Sequence, residues 1–215
     1  AYEIVFRLVG SEMCIRDSII PAYNESQSIG LVIDSIPKSV DRIIVVDNAS
    51  TDNTSKIAEK KGAEVVTENR KGYGYACLKG LEHLVQNNPD IVVFLDGDYS
   101  DYAEDLDQIV SPIIREEVVF CIGARDKKLR EKGSLTYQQI FGNKLACFLM
   151  KWLYQGKFSD LGPFRAIKWQ SLQELKMEDK TYGWTIEMQL KVLRKKMSYK
   201  DCLLYTSPSP RDRIR

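Results

Sequence analysis

The chain has 215 residues, 44% of them hydrophobic and 28% charged, and its 31 basic and 30 acidic residues leave a net charge of +1. That is enough apolar material for one large core and too much for a disordered chain, and the balanced charge implies no nucleic-acid partner. No run of about 20 apolar residues occurs; the richest segment, 140–153, is interrupted by Asn143, Lys144 and Lys151.

Both ends read as foreign to the rest. "LVGSEMCIRDS" (8–18) and "CLLYTSPSPRD" (202–212) resemble translations of a transposase-adapter sequence used in DNA library preparation. The string TGTCTCTTATACACATCT encodes CLLYTS, and its overlapping reverse complement encodes EMCIRD. Residues 1–18 and 202–215 are therefore expected to be adapter-derived, 19–201 to form a single domain, and the gene product to extend further in both directions. Setting the tails aside removes Cys14 and Cys202. The remaining Cys77, Cys121 and Cys147 show no paired spacing, which suits a reduced, cytoplasmic setting. The single histidine, His83, lies in the helix-like "GLEHLVQ" and leaves no basis for a Ser/His/Asp triad or a His-rich zinc site.

Short Val/Ile-rich runs alternate with amphipathic stretches, the pattern of βαβ units around a mainly parallel sheet. In chain order the strands are a stub at Ile19 and Ile20, "RIIVV" to Val46, "AEVV" to Val66, "IVVFL" to Leu95 and "VVFCI" to Ile122. Helices are predicted at 26–36, stopped by Pro37; at 51–62, closed by Gly62; at 75–86; and at 104–114. Beyond Arg125 the pattern is mostly helical, with a long amphipathic segment through Trp152 and another over 184–197.

In such a sheet ligands bind beyond the carboxyl ends of the strands. The polar motifs fall there: "PAYNE" (21–25), "DNASTDNT" (47–54), "DGDYSD" (96–101) and "GARD" (123–126). Asp96 and Asp98, separated by Gly97, can aim two carboxylates at one hard cation, for which Mg²⁺ or Mn²⁺ suits oxygen ligands better than zinc. Arg125 and Arg165 are candidate counter-charges for a diphosphate, Arg165 lying in the Gly-Pro turn of "DLGPFRA".

Taken in order, "IIPAYNE", "IIVVDNASTDNT", "GYGYACLKGL", "VVFLDGDYSD", "IGARD" and "DLGPFRAI" resemble the inverting family 2 glycosyltransferases, and most of all the dolichyl-phosphate mannose synthase and polyprenyl-phosphate glycosyltransferase group. The resemblance spans about 19–200. It implies a glycosyltransferase A-type fold, a Rossmann-like, mainly parallel sheet flanked by helices. It also implies a nucleoside diphosphate sugar donor of the UDP-glucose or GDP-mannose type, a divalent metal, a polyprenyl-phosphate acceptor at the membrane and a part in cell-envelope glycan assembly. Pro21, Tyr23, Glu25, Asp47, Lys71, Asp96, Gly97, Arg125 and Arg165 would bind the donor, Asp96 and Asp98 the metal, with Asp98 and Glu187 catalytic.

The sequence departs from the family pattern in three places. Asn48 follows Asp47 where many members carry a second aspartate, which bears on base selectivity. Pro163 replaces the commoner Ser-Gly-Phe-Arg form, and the late carboxylates are Glu178, Asp179 and Glu187. A hydroxyl acceptor needs a general base whereas a phosphate acceptor is already ionised. Three rival readings are weighed beside this one. G-x-G-x-x-C at 72–77, with Asp96 downstream, suggests a dinucleotide-binding oxidoreductase. "DGDYSDYAEDLD" suggests a calcium loop that lacks glycine at its sixth position. The last is a nucleotide-sugar-binding domain without activity.

Overall fold

The computed structural model describes residues 14–130 and 137–206, with side chains at 14–124 and 141–204. One seven-stranded sheet, ordered β3-β2-β1-β4-β6-β5-β7, runs through the molecule. Its strands are β1 (Arg16–Ala22), β2 (Arg42–Asp47), β3 (Glu64–Thr67), β4 (Ile91–Phe94), β5 (Phe120–Arg130), β6 (Arg165–Lys168) and β7 (Tyr199–Thr206). All neighbours are parallel except β6, which runs antiparallel to both β4 and β5. The helices are α1 (Ile29–Ser35), α2 (Thr54–Lys60), α3 (Tyr73–Leu84), α4 (Leu106–Ile114), α5 (Tyr137–Tyr154), α6 (Trp169–Leu175) and α7 (Trp184–Arg194).

The central strands are apolar on both faces because both are covered. Successive residues feed two cores: Ile20, Val45, Val93 and Leu95 meet α1, α2 and α4 through Ile29, Val32, Ala58, Leu106 and Ile109. Ile19, Ile44, Val92 and Phe94 meet α3, α6 and α7 through Ala76, Leu84, Leu172, Trp184 and Met188. Gly80 lets α3 lie against the sheet, since a Cβ there would sit 2.7 Å from an Ile19 side-chain carbon.

Four elements differ from the sequence expectation. β6, α6 and β7 were not expected as separate elements, and β5 continues to Arg130, well past the apolar run, because its partner β7 continues beside it. The sheet is also continuous across the expected boundaries at 18/19 and 201/202. Arg16, Asp17 and Ser18 pair with β2 or β4, and Cys202 to Leu204 pair with β5. Asp17 is fully buried in that central strand, held by the Arg42 guanidinium, and burial raises its carboxyl pKa.

Candidate active site

The loops leaving β1 and β2 are sewn together at the carboxyl edge. The Asn24 amide donates to Ser50 Oγ (3.0 Å) and the Glu25 amide to Thr54 Oγ1 (2.8 Å), while Asn24 Oδ1 accepts from the Thr51 amide (2.8 Å). These bonds hold unusual backbone. Asn24 (φ 55°), Ala49 (φ 61°) and Tyr99 (φ 59°) put one non-glycine residue in the left-handed region in each of the loops after β1, β2 and β4. Such conformations cluster at functional sites because the surrounding structure must over-determine them.

The β4 loop joins the same edge. A Cβ on Gly97 would lie in van der Waals contact with Pro21 O (3.4 Å), Ala22 Cβ (3.4 Å) and Glu25 Cγ (3.5 Å), so "DGD" sits directly against "PAYNE". Asp98 Oδ1 accepts from the Ser100 amide (3.0 Å), which orients its carboxylate. Asp96 is half-buried and hydrogen-bonded by the Tyr73 hydroxyl from α3; burial pushes that phenol well above its ordinary range. Asp47, almost fully buried, accepts from the Ser50 amide (3.0 Å) and the Ser55 hydroxyl. From the β3 side, Lys71 Nζ reaches Tyr23 Oη (3.1 Å) and lies 4.9 Å above its ring, with Tyr23 41% exposed at the mouth. Pro21, Tyr23, Glu25, Asp47, Lys71, Asp96, Gly97 and Asp98 are thus brought to one edge.

Two expected residues are held by protein contacts of their own. Arg165 does reach that edge, since it pairs with Phe94 in register, but its side chain is fully buried. Its guanidinium donates to the carbonyls of Leu161 (3.2 Å), Gly162, Pro163 (3.3 Å) and Thr185 (3.0 Å), and desolvation lowers its pKa to about 10. It fastens the Gly-Pro turn to the start of α7, and the Asp96 carboxylate is among the charges that act on it. Glu187 is likewise engaged: its carboxylate accepts from the amides of Glu178 (2.9 Å) and Asp179 (2.8 Å) and pairs with Lys191 (2.7 Å). These contacts make it the clamp of the 178–182 loop. The backbone of Arg125 lies in β5; its side chain is outside the described ones.

The clamped loop disposes of one rival. The first amides of α3, which a dinucleotide pyrophosphate would need, are already used: Gly74 N–H donates to Thr181 O (3.1 Å) and Tyr75 N–H to Lys180 O (3.2 Å). Gly74 is required by packing, since a Cβ would come 2.1 Å from Asp179 O. The calcium-loop reading fails too, because a strand and not a helix precedes Asp96. Sequence reasoning missed Tyr73, and nothing in "GYGYAC" distinguishes its inward hydroxyl from that of Tyr75.

This sheet order, with its functional loops gathered at the carboxyl edge, defines a glycosyltransferase A-type α/β domain. Residues 17–176 match the model of the family described as Glycosyl transferase family 2. An uncharacterized glycosyltransferase of Mycobacterium tuberculosis is 30% identical over 174 residues, covering 79% of this chain and 75% of the relative. UDP-N-acetylglucosamine–dolichyl-phosphate N-acetylglucosaminyltransferase of Methanococcus voltae is 30% identical over 144 residues, 58% of this chain and 57% of that protein. Among solved structures, glucosyl-3-phosphoglycerate synthase from Mycobacterium tuberculosis, in complex with Mn²⁺, UDP and glucosyl-3-phosphoglycerate, superposes with a TM-score of 0.73. Its identity is 23%, over 94% of this chain and 75% of the other, a likeness of fold. The chain belongs to glycosyl transferase family 2 and is a glycosyltransferase. That family replaces the oxidoreductase alternative.

Proposed function

We propose that this glycosyltransferase moves a sugar from a nucleoside diphosphate sugar to a polyprenyl phosphate, inverting the anomeric carbon, with a divalent metal held by Asp96 and Asp98. The observation that carries this reading is the contact of the "DGD" loop with Pro21 and Glu25, beside Lys71 and Tyr23. Pro21, Tyr23, Glu25 and Asp47 line the nucleoside side, and Gly97 keeps the backbone open to the diphosphate. Lys71 brings an ammonium to the phosphates. Among the described residues no group of three or more His, Cys, Asp or Glu is arranged to hold a metal. The two carboxylates of Asp96 and Asp98 are oxygen donors, which would suit Mg²⁺ or Mn²⁺. Once bound, that ion supplies charge neutralisation for the departing nucleoside diphosphate. The complex of the structural relative with Mn²⁺ and UDP supports the same chemistry here.

Three observations support a lipid-phosphate acceptor. Glu187 is committed to the 178–182 loop, and an ionised phosphate needs no base. The Methanococcus voltae relative is named for a dolichyl-phosphate acceptor. No described helix is long and apolar enough to cross a membrane, but α5 exposes Phe141, Leu145, Phe148, Leu149 and Trp152, carries Lys144 and Lys151 and has no acid. That face suits the cytoplasmic surface of a membrane.

The test offers UDP-glucose, UDP-N-acetylglucosamine or GDP-mannose, radiolabelled in the sugar, with Mn²⁺ and either a polyprenyl phosphate or the matching free polyprenol. Label extracted into the lipid phase only with the phosphate is the expected result. Label transferred to the free alcohol, or to neither lipid but to a soluble hydroxyl acceptor, overturns the acceptor reading.

A further inference from the structure

Asn48, which follows the donor-side Asp47, is buried and directs its whole amide group at one five-residue loop. Its Nδ2 donates to the carbonyls of Glu68 (3.2 Å) and Arg70 (2.7 Å), and its Oδ1 accepts the Gly72 N–H (2.8 Å). Its own N–H donates to Ala22 O (2.8 Å), so one residue links the ends of β1, β2 and the loop after β3. The loop has little freedom left. The Glu68 carboxylate holds the Arg70 guanidinium at 2.7 and 2.9 Å, and a Cβ on Gly72 would lie 2.4 Å from Lys180 O. Lys71, between two residues bonded to Asn48, is the one whose side chain extends to Tyr23.

We infer that Asn48 is a positioning residue: it sets the 68–72 loop so that the Lys71 ammonium stands over the donor diphosphate, and it does not read the nucleobase. The chemistry needs an amide. A carboxylate could still accept from Gly72 N–H, but it would turn an acceptor oxygen toward two carbonyl oxygens where the amide donates. The inference rests on the donor reading proposed above.

The experiment titrates UDP and GDP, each with Mn²⁺, into the unmodified chain, Asn48→Asp, Lys71→Ala and the double variant, by calorimetry, with a thermal melt of each. The expected result is that Asn48→Asp weakens both nucleotides by the same factor, about tenfold. In the Lys71→Ala background the same change costs less than about threefold, because the lysine it positions is gone. A change in the UDP-to-GDP ratio beyond about threefold, or an undiminished loss in the Lys71→Ala background, overturns the inference. Should Asn48→Asp fail to fold, Asn48→Ala removes the same bonds without adding a charge and is read identically. If the unmodified chain binds neither nucleotide, the donor reading falls, and the inference falls with it.

Discussion

Replacing Gly74 by alanine separates a packing glycine from a ligand-binding one. The added Cβ would meet Asp179 O at 2.1 Å and the carbonyl carbons of Asp179 and Lys180 at 2.7 Å, all backbone atoms that cannot swing away. Relief requires the 178–182 loop to move off α3, which breaks Gly74 N–H to Thr181 O and Tyr75 N–H to Lys180 O and pulls against the Glu187 clamp. Overpacking costs about 1–3 kcal/mol. The two hydrogen bonds add about 0.5–1.5 kcal/mol each, and the gain from placing alanine in a helix returns about 0.5–1 kcal/mol. The net loss is about 1–5.5 kcal/mol, a sizeable part of the roughly 5–15 kcal/mol that holds a domain folded. Urea unfolding followed by circular dichroism measures it. Gly142→Ala is the control: it lies within α5 and, outside its own stretch of helix, no atom of the described residues comes within 4 Å of the added carbon, so it is expected to be neutral or to stabilise by up to about 1 kcal/mol. A Gly74→Ala midpoint within about 0.5 kcal/mol of the unmodified chain would refute the packing argument.

Arg165→Ala strands the carbonyls of Leu161, Gly162, Pro163 and Thr185 in the interior and should destabilise by about 3–5 kcal/mol; a stable variant with only weakened nucleotide binding would contradict that structural role and favour a phosphate contact. Glu68 has its carboxyl pKa held down to about 2 from 4.5, first by the side-chain hydrogen bond with Arg70. Because the folded value is the lower one, its stabilisation is full above pH 4.5 and is lost as pH falls toward 2. Glu68→Gln should flatten that limb of the stability profile, and a limb of unchanged steepness contradicts the pairing. The buried Asp17–Arg42 pair sits in the core strands where desolvation opposes it. Replacing both residues by valine should raise stability at pH 7 by about 1–4 kcal/mol, and a loss in chemical denaturation would show that the pair is a net stabiliser.

The carboxyl edge was legible because buried parallel strands are continuous apolar runs and their polar loops begin where the runs stop. Ile91 to Leu95 followed by Asp96 is the clearest case. β6 escaped notice for the opposite reason. "RAIK" has only two apolar residues, and its place between β4 and β5 is set by antiparallel pairing that no local pattern encodes. The direction of a side chain was equally hidden. "DLGPFRA" marks a tight turn, but whether Arg165 faces ligand or interior depends on the carbonyl of Thr185, 20 residues away. Glu187 posed the same problem, as a carboxylate early in a helix serves a catalytic site and a capped loop equally well. Asn48 was visible as a departure from the family pattern, and its three bonds to the 68–72 loop supply the physical reason for an amide there.

The central claim is that Asp98, with Asp96, holds a metal on a nucleoside diphosphate. Asp98→Asn tests it cleanly, since an asparagine Oδ1 can still accept the Ser100 N–H and leave the turn intact. Calorimetry of UDP and GDP with Mn²⁺, repeated in EDTA, should show nucleotide binding by the unmodified chain that EDTA and Asp98→Asn each abolish, at an unchanged melting temperature of the free protein. Nucleotide affinity that is the same in Asp98→Asn, or the same in EDTA, would contradict the account.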